Sequence, residues 1–178
     1  MSVTKVAYRY AQALIDLAAE INTVEEVYGD MNQLASVCEE SRDFRALLNS
    51  PVIVWHKKQA IFKQLFEKSI SEMSMGFMNL IAKNSRENLL PEIAEGYIQL
   101  YKKSKNIHEV YVTSAVALDQ STKDKIIEKI KAEVNGTIEL TETVDPELIG
   151  GFIVRMEDKQ IDASISSQLA DLRNVLLN

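Results

Sequence analysis

The chain has 178 residues, 46% of them hydrophobic, 26% charged and 7% aromatic, which suits one large core or two small ones and excludes a disordered polymer. Its one cysteine, Cys38, excludes an internal disulfide framework and a four-cysteine zinc site. The net charge of −6 is unevenly placed: residues 1–105 carry 13 Lys/Arg against 13 Asp/Glu, and residues 106–178 carry 7 against 13, so the acidic excess sits in the second part, where it suits a basic partner and ordinary solubilising charge equally.

The first 105 residues read as successive helices. In the first, Val6, Tyr10, Leu14, Leu17 and Ile21 recur every three or four residues and are expected to face inward. Thr23-Val24-Glu25-Glu26 is a capping-box pattern opening a second helix with Val27, Met31, Leu34 and Val37 or Cys38 inward. Ser41 suits the cap of a short third helix, and Ser50-Pro51 ends it, because proline pushes its predecessor out of the helical region. A fourth helix is expected near 54–68, with Ile61, Phe62, Leu65 and Phe66 inward. A fifth, near 71–84, turns Met73, Phe77, Leu80 and Ile81 one way. Pro91 fits the first turn of a sixth, where its missing N–H costs little. The expectation is a compact bundle of six helices.

The period then changes. Residues 109–118 are rich in β-branched side chains and predict a strand. Ser121-Thr122-Lys123-Asp124 is a second capping-box pattern, opening a helix that buries Ile126, Ile127, Ile130 and Val134. Ile138, Leu140 and Val144 alternate with polar residues. A buried strand over 148–156, a turn at Glu157-Asp158-Lys159 and a short strand at 160–163 follow, and Ile165, Leu169, Leu172 and Leu176 mark a closing helix. The fold class is thus an all-α six-helix bundle over 1–105 followed by a small α/β domain over 106–178, in the order β-α-β-β-β-α.

Motifs for chemistry are missing from the sequence. His56 and His108 are isolated, and Cys38 has no catalytic signature beside it. There is no Walker-type or dinucleotide-binding glycine loop. Gly150-Gly151 lies among apolar strand residues, where glycines permit a bulge or a close backbone approach. The carboxylates are scattered. With a pI near 5.1 and no RNA-binding aromatic motif, nucleic acid is not an expected partner. No catalytic residue, metal or cofactor is expected. The longest uncharged runs, such as 73–82, are about half the ~20 residues a bilayer requires, and no signal or transit segment is read at the N-terminus. From the residues alone, the expectation is a two-domain interaction protein. A small enzyme using scattered carboxylates and a helical regulator with a basic face are the competing classes.

Several segments carry a family likeness. Residues 7–14, Ala-Tyr-Arg-Tyr-Ala-Gln-Ala-Leu, have an R-Y-A-x-A-L pattern. Residues 144–155, from Val144-Asp145-Pro146 through Gly150-Gly151 to Arg155, form a longer signature continued by Ile161-Asp162-Ala163-Ser164-Ile165 and Leu169. Between them stand Asn84-Ser85-Arg86 and Leu90-Pro91-Glu92-Ile93. Together they resemble the delta subunits of F-type ATP synthases, whose mitochondrial member is the oligomycin-sensitivity-conferring protein, over essentially the whole chain. Glu87 departs from the apolar residue the family often has there, which bears on the packing of that corner.

The resemblance implies a non-catalytic stator subunit. Its N-terminal domain would grip the N-terminal helix of an alpha subunit between the first and fifth helices, through Tyr10, Ala13, Leu14, Phe77, Leu80 and Ile81. Leu14 and Ile81 suit the bundle core as well as the interface. The C-terminal domain would bind the b subunits of the peripheral stalk, with its acidic charge steering a basic stalk end. Asp145, Gly150, Gly151, Arg155 and Asp162 would fix strands and turns. The implied location is the cytoplasmic face of a bacterial inner membrane, peripheral, through the complex.

Overall fold

The computed structural model describes residues 4–67, 69–133, 136–146, 148–156, 159–167 and 169. The chain divides into two compact units, Met1–Tyr101 and Lys102–Asn178. The first is helix-rich. It holds α1 (Lys5–Glu20), α2 (Val24–Glu40), α3 (Arg42–Asn49), α4 (Trp55–Phe66), α5 (Glu72–Lys83), a 3₁₀ turn (Glu87–Leu89) and α6 (Leu90–Ser104), whose last turn belongs to the second unit.

Helix starts follow local hydrogen-bond chemistry. Thr4, Ser41 and Ser71 each place a hydroxyl to accept the N–H three residues on, at Ala7, Phe44 and Ser74, which satisfies one of the free donors of a first turn. Thr23 departs from the expected capping box. Its side chain makes no cap bond; the hydroxyl instead donates to Met73 Sδ at 3.6 Å, a tertiary contact that no local pattern encodes. Buried Asp30 of α2 accepts from the Ser71 N–H at 3.1 Å and the Ser71 hydroxyl at 2.6 Å, tying α2 to the start of α5.

The core of this unit differs from the expected one on α1. Ala7, Ala11, Leu14 and Ala18 are buried, whereas Val6, Leu17 and Ile21 are exposed. At roughly 100° per residue the two sets form adjacent stripes of one helix. Alanines let α1 approach its neighbours closely, so the smaller residues take the inside and the larger ones stay out. On α4, Phe62 and Phe66 are core, while Leu65 is exposed and Ile61 half-buried. Phe44 meets both phenylalanines edge to face at 6.0 and 5.7 Å. Tyr97 is fully buried and donates to the Val24 carbonyl. Cys38 is buried, and desolvation pushes its thiol up to about 12, so it stays protonated at neutral pH.

The second unit holds a small mixed sheet. Its elements are β1 (Ile107–Ser114), α7 (Gln120–Glu133), β2 (Thr137–Val144), β3 (Phe152–Met156) and β4 (Lys159–Asp162). The strand order is β2-β1-β3-β4. β1 runs parallel to β2, joined through α7, and antiparallel to β3; β3 and β4 are antiparallel. Val110, Val112 and Val154 of the sheet pack with Ile126 and Ile130 of α7. The expected strand over 109–118 stops at Ser114. The expected strand over 148–156 begins only at Phe152, because Gly151 at φ +81 cannot continue an extended chain.

α7 is capped by Asp119 rather than from within the Ser121–Asp124 pattern. The side chain of Asp119 accepts from the Ser121 and Thr122 hydroxyls and its carbonyl from the Thr122 and Lys123 N–H groups. Those hydroxyl bonds hold the Asp119 carboxyl below its ordinary range. Val134, the turn residues Glu157 and Asp158, and the closing helix beyond Leu169 lie outside the described residues; 165–167 and Leu169 are helical.

Candidate functional site: an apolar face on α1 and α5

α1 and α5 carry matching patterns. On α1 the unburied stripe is Val6, Tyr10, Ala13, Leu17; on α5 it is Met73, Phe77, Leu80. Both repeat at four, then three residues, and each borders a buried stripe of its own helix: Leu14 with Ala7 and Ala18, Ile81 with Ser74 and Met78. Two contacts bring the helices together in opposite directions. Just past the end of α1, Thr23 reaches Met73 at the start of α5. Just past the end of α5, Arg86 Nη1 donates to the Tyr10 hydroxyl at 2.7 Å, with the guanidinium 5.7 Å from the ring centroid. The stripes are therefore antiparallel neighbours.

Of the six residues the sequence reading assigned to a groove, Leu80 (53% exposed) and Ala13 are open to solvent, and Tyr10 and Phe77 are half-buried. Leu14 and Ile81 are 1% and 0% exposed and belong to the core. Val6, Leu17 and Ile21, read as core from periodicity, line the open side. Single exposed leucines are ordinary on any surface. A line of large apolar side chains along two helices is less ordinary, and makes this face the candidate site.

The end of α5 fixes Arg86. Arg86 N–H donates to the Ile81 carbonyl at 3.1 Å and Ser85 N–H to the Ala82 carbonyl at 3.0 Å, with Ser85 at φ 56. This pair of bonds closes the helix with one left-handed residue and turns the chain so that Arg86 lies over Tyr10.

Sequence reasoning missed a buried ion pair. Lys58 of α4 is fully buried and donates to the Leu48 and Ser50 carbonyls at 3.3 and 2.7 Å and to Glu87 Oε1. Glu87, the departure from the family pattern, thus faces a cation that stands beneath it. The only sequence signal was two polar residues at otherwise apolar positions.

In the second unit, the signature residues make local contacts along the chain. Asp162 accepts from Ser164 N–H at 2.9 Å and the Ser167 hydroxyl at 2.7 Å; these bonds hold its carboxyl below the ordinary range. Arg155 Nη2 donates to Gln160 across β3 and β4. Asp145 N–H donates to the Ser114 carbonyl at 2.9 Å, where β1 and β2 end. A Cβ on Gly151 would lie 2.3 Å from the Ala163 carbonyl oxygen. Lys102 pairs with Glu109 and, at 2.6 Å, with Glu139. Burial opposes its charge, but those bonds outweigh it and hold the ammonium above the ordinary lysine range, while Lys102 holds Glu109 below the usual carboxylate range. Among the described residues no three His, Cys, Asp or Glu side chains gather as a metal site, and no helix is long and apolar enough to cross a membrane.

The chain is thus a two-unit protein, a helix-rich unit with a partly exposed apolar face followed by a small mixed-sheet unit. The family model for the ATP synthase delta (OSCP) subunit matches residues 6–176. The chain belongs to that family, and it is a structural subunit of an F-type ATP synthase. It is 37% identical over 177 residues to ATP synthase subunit delta of Parabacteroides distasonis, covering 99% of this chain and 98% of that one. It is 35% identical over 176 residues to the Cytophaga hutchinsonii subunit delta (98% and 95%), and 34% identical over 177 to the chloroplastic one of Ochrosphaera neapolitana (99% and 99%). Its fold is similar to a chain in the cryo-EM structure of the Toxoplasma gondii mitochondrial ATP synthase hexamer, with a TM-score of 0.75 at 21% identity, covering 98% of this chain and 99% of that one.

Proposed function

We propose that this subunit is a non-catalytic stator link, joining the alpha subunits of the catalytic head to the b subunits of the peripheral stalk. Residues 1–105 hold the head and residues 106–178 the stalk, so that the subunit attaches peripherally at the cytoplasmic face of a bacterial inner membrane. The observation that carries this reading is the pair of apolar stripes on α1 and α5. Such a face suits an amphipathic helix laid along two helices: Ala13 allows close approach, and Tyr10, Phe77 and Leu80 supply contact area. Leu14 and Ile81 support the face from beneath.

Central-stalk rotation exerts torque on the head. A link of this kind resists it by dissociating slowly from each of two partners, with each attachment raising the effective concentration of the other. No chemistry is required for that task.

Titration of the full-length chain with a peptide from the N-terminus of the same organism's alpha subunit, followed by calorimetry, is expected to show one-to-one binding. Leu80→Asp is expected to weaken it by roughly 30-fold or more, as loss of a central apolar anchor does, without loss of folded signal, because Leu80 is exposed. Equal affinity of the variant would remove α5 from the site.

A further inference from the structure

We propose that Met73 is a site of reversible oxidation by peroxide, and that its sulfoxide closes the α1–α5 face to a docking helix. The closure rests on the reading of that face as the alpha-subunit receptor; the oxidation site itself does not.

Three observations separate Met73 from the other methionines. Its side chain is half-buried and so open in part to solvent, whereas Met31 and Met78 are 1% and 0% exposed. It opens the apolar stripe of α5 that continues through Phe77 and Leu80; Met75, also half-buried, instead lines a cleft with Ala60 and Gly76. Its sulfur is also held in place. Thr23 makes no side-chain cap bond at the start of α2 and donates its hydroxyl to Met73 Sδ at 3.6 Å. A methionine has three rotatable bonds and a thioether accepts only weakly, so a donor directed at the sulfur fixes a side chain that would otherwise move.

In the reaction, a lone pair of Met73 Sδ attacks one oxygen of hydrogen peroxide, the O–O bond breaks, and water leaves. The sulfur loses two electrons and the peroxide gains them. The sulfur has two lone pairs, and the Thr23 hydroxyl occupies one. The oxygen therefore adds at the other, which yields one of the two sulfoxide epimers. The product is polar where the thioether was apolar. A helix laid along the stripe would bury that S–O dipole without a donor, which lowers affinity. A seated helix also covers Met73, so the reaction belongs to the unassembled subunit. An oxidised chain stays unassembled until a methionine sulfoxide reductase restores the thioether, with the oxygen leaving as water and a dithiol becoming a disulfide.

The experiment treats the full-length chain with hydrogen peroxide, maps the oxidised methionines by mass spectrometry, and titrates the alpha-subunit N-terminal peptide before and after. Met73 is expected to oxidise about 10-fold faster than Met31 and Met78, or more, and bound peptide to protect it. Oxidation is expected to weaken the peptide about 10- to 100-fold, and one of the two epimer-specific reductases alone to restore it. In Met73→Leu, which conserves volume, peroxide is expected to leave the variant's own affinity where it was, although Met75 still oxidises. In Thr23→Val both reductases become necessary. Overlaying unfolding curves establish that the variants and the oxidised chain are folded. Met73 reacting no faster than Met78, an equal peroxide effect in Met73→Leu, or full affinity of the Met73-oxidised chain overturns the proposal and leaves the receptor reading standing. A need for both reductases in the parent chain overturns the part assigned to Thr23. No binding of the peptide by the folded, unoxidised chain overturns the receptor reading, and the closure with it.

Discussion

Replacing Lys58 or Glu87 alone by alanine is expected to lower the unfolding free energy by about 3–5 kcal/mol, and replacing them together by methionine and leucine to restore most of it. The two side chains are 1% and 13% exposed. Lys58 holds the Leu48 and Ser50 carbonyls at the end of α3, where the negative end of a helix dipole favours an ammonium. Glu87 Oε1 takes the remaining donor, and Glu87 Oε2 is buried with no partner. Removing the lysine therefore strands a carboxylate and two carbonyls out of water, and should be the worse of the single changes. Lys58→Met with Glu87→Leu removes both charges at similar volume and leaves only the two carbonyls unmet. Urea unfolding with unchanged slope reads the differences. Single changes that cost less than about 1 kcal/mol would mean that the pair behaves as a surface one.

The two signature glycines are expected to separate. Gly151→Ala should destabilise the chain by about 3 kcal/mol: part is the cost of roughly 1–2 kcal/mol of a left-handed non-glycine residue, and part is overpacking. At φ +81 its Cβ would stand 2.3 Å from the Ala163 carbonyl oxygen and 2.9 Å from the Ser164 Cα. Both are backbone atoms at the end of β4, where Ser164 caps the following turn through Ser167 N–H, so neither yields cheaply. Gly150→Ala meets the Ile165 Cδ1 at 2.6 Å, the tip of a 43% exposed side chain that can rotate away, and should cost less than about 1 kcal/mol. Thermal unfolding of the two variants gives the order. The reverse order would mean that the approach of Gly150 to Ile165, not the left-handed backbone at Gly151, sets the geometry.

Periodicity and turn chemistry placed the helices and strands because those signals are local. Ser41, Pro51 and Pro91 mark boundaries by what their own atoms do to the next turn. Which stripe of α1 faces inward was not legible. Val6, Leu17 and Ile21 are the more hydrophobic set, and sequence alone ranks them as core. The structure buries Ala7, Ala11 and Ala18 instead, because close helix packing selects small side chains and hydropathy does not register that. The exposed set then lines the candidate face, so the misplaced residues are the informative ones. Thr23 and Asp119 show the same limit at smaller scale: a cap pattern names candidates, and the tertiary position of Met73 or the preceding carboxylate decides among them. Lys58 with Glu87 and Asp30 with Ser71 join residues 29 and 41 apart, and no spacing rule pairs them.

The central claim is that one chain holds two partners at once. The direct measurement is sedimentation velocity of the full-length chain with the head subcomplex and the cytoplasmic part of the b subunits, alone and together. The account predicts a single faster species containing all three when they are mixed. It also predicts that Leu80→Asp loses the head while keeping the stalk. Displacement of one partner by the other, or head–stalk association that does not need this chain, would contradict it.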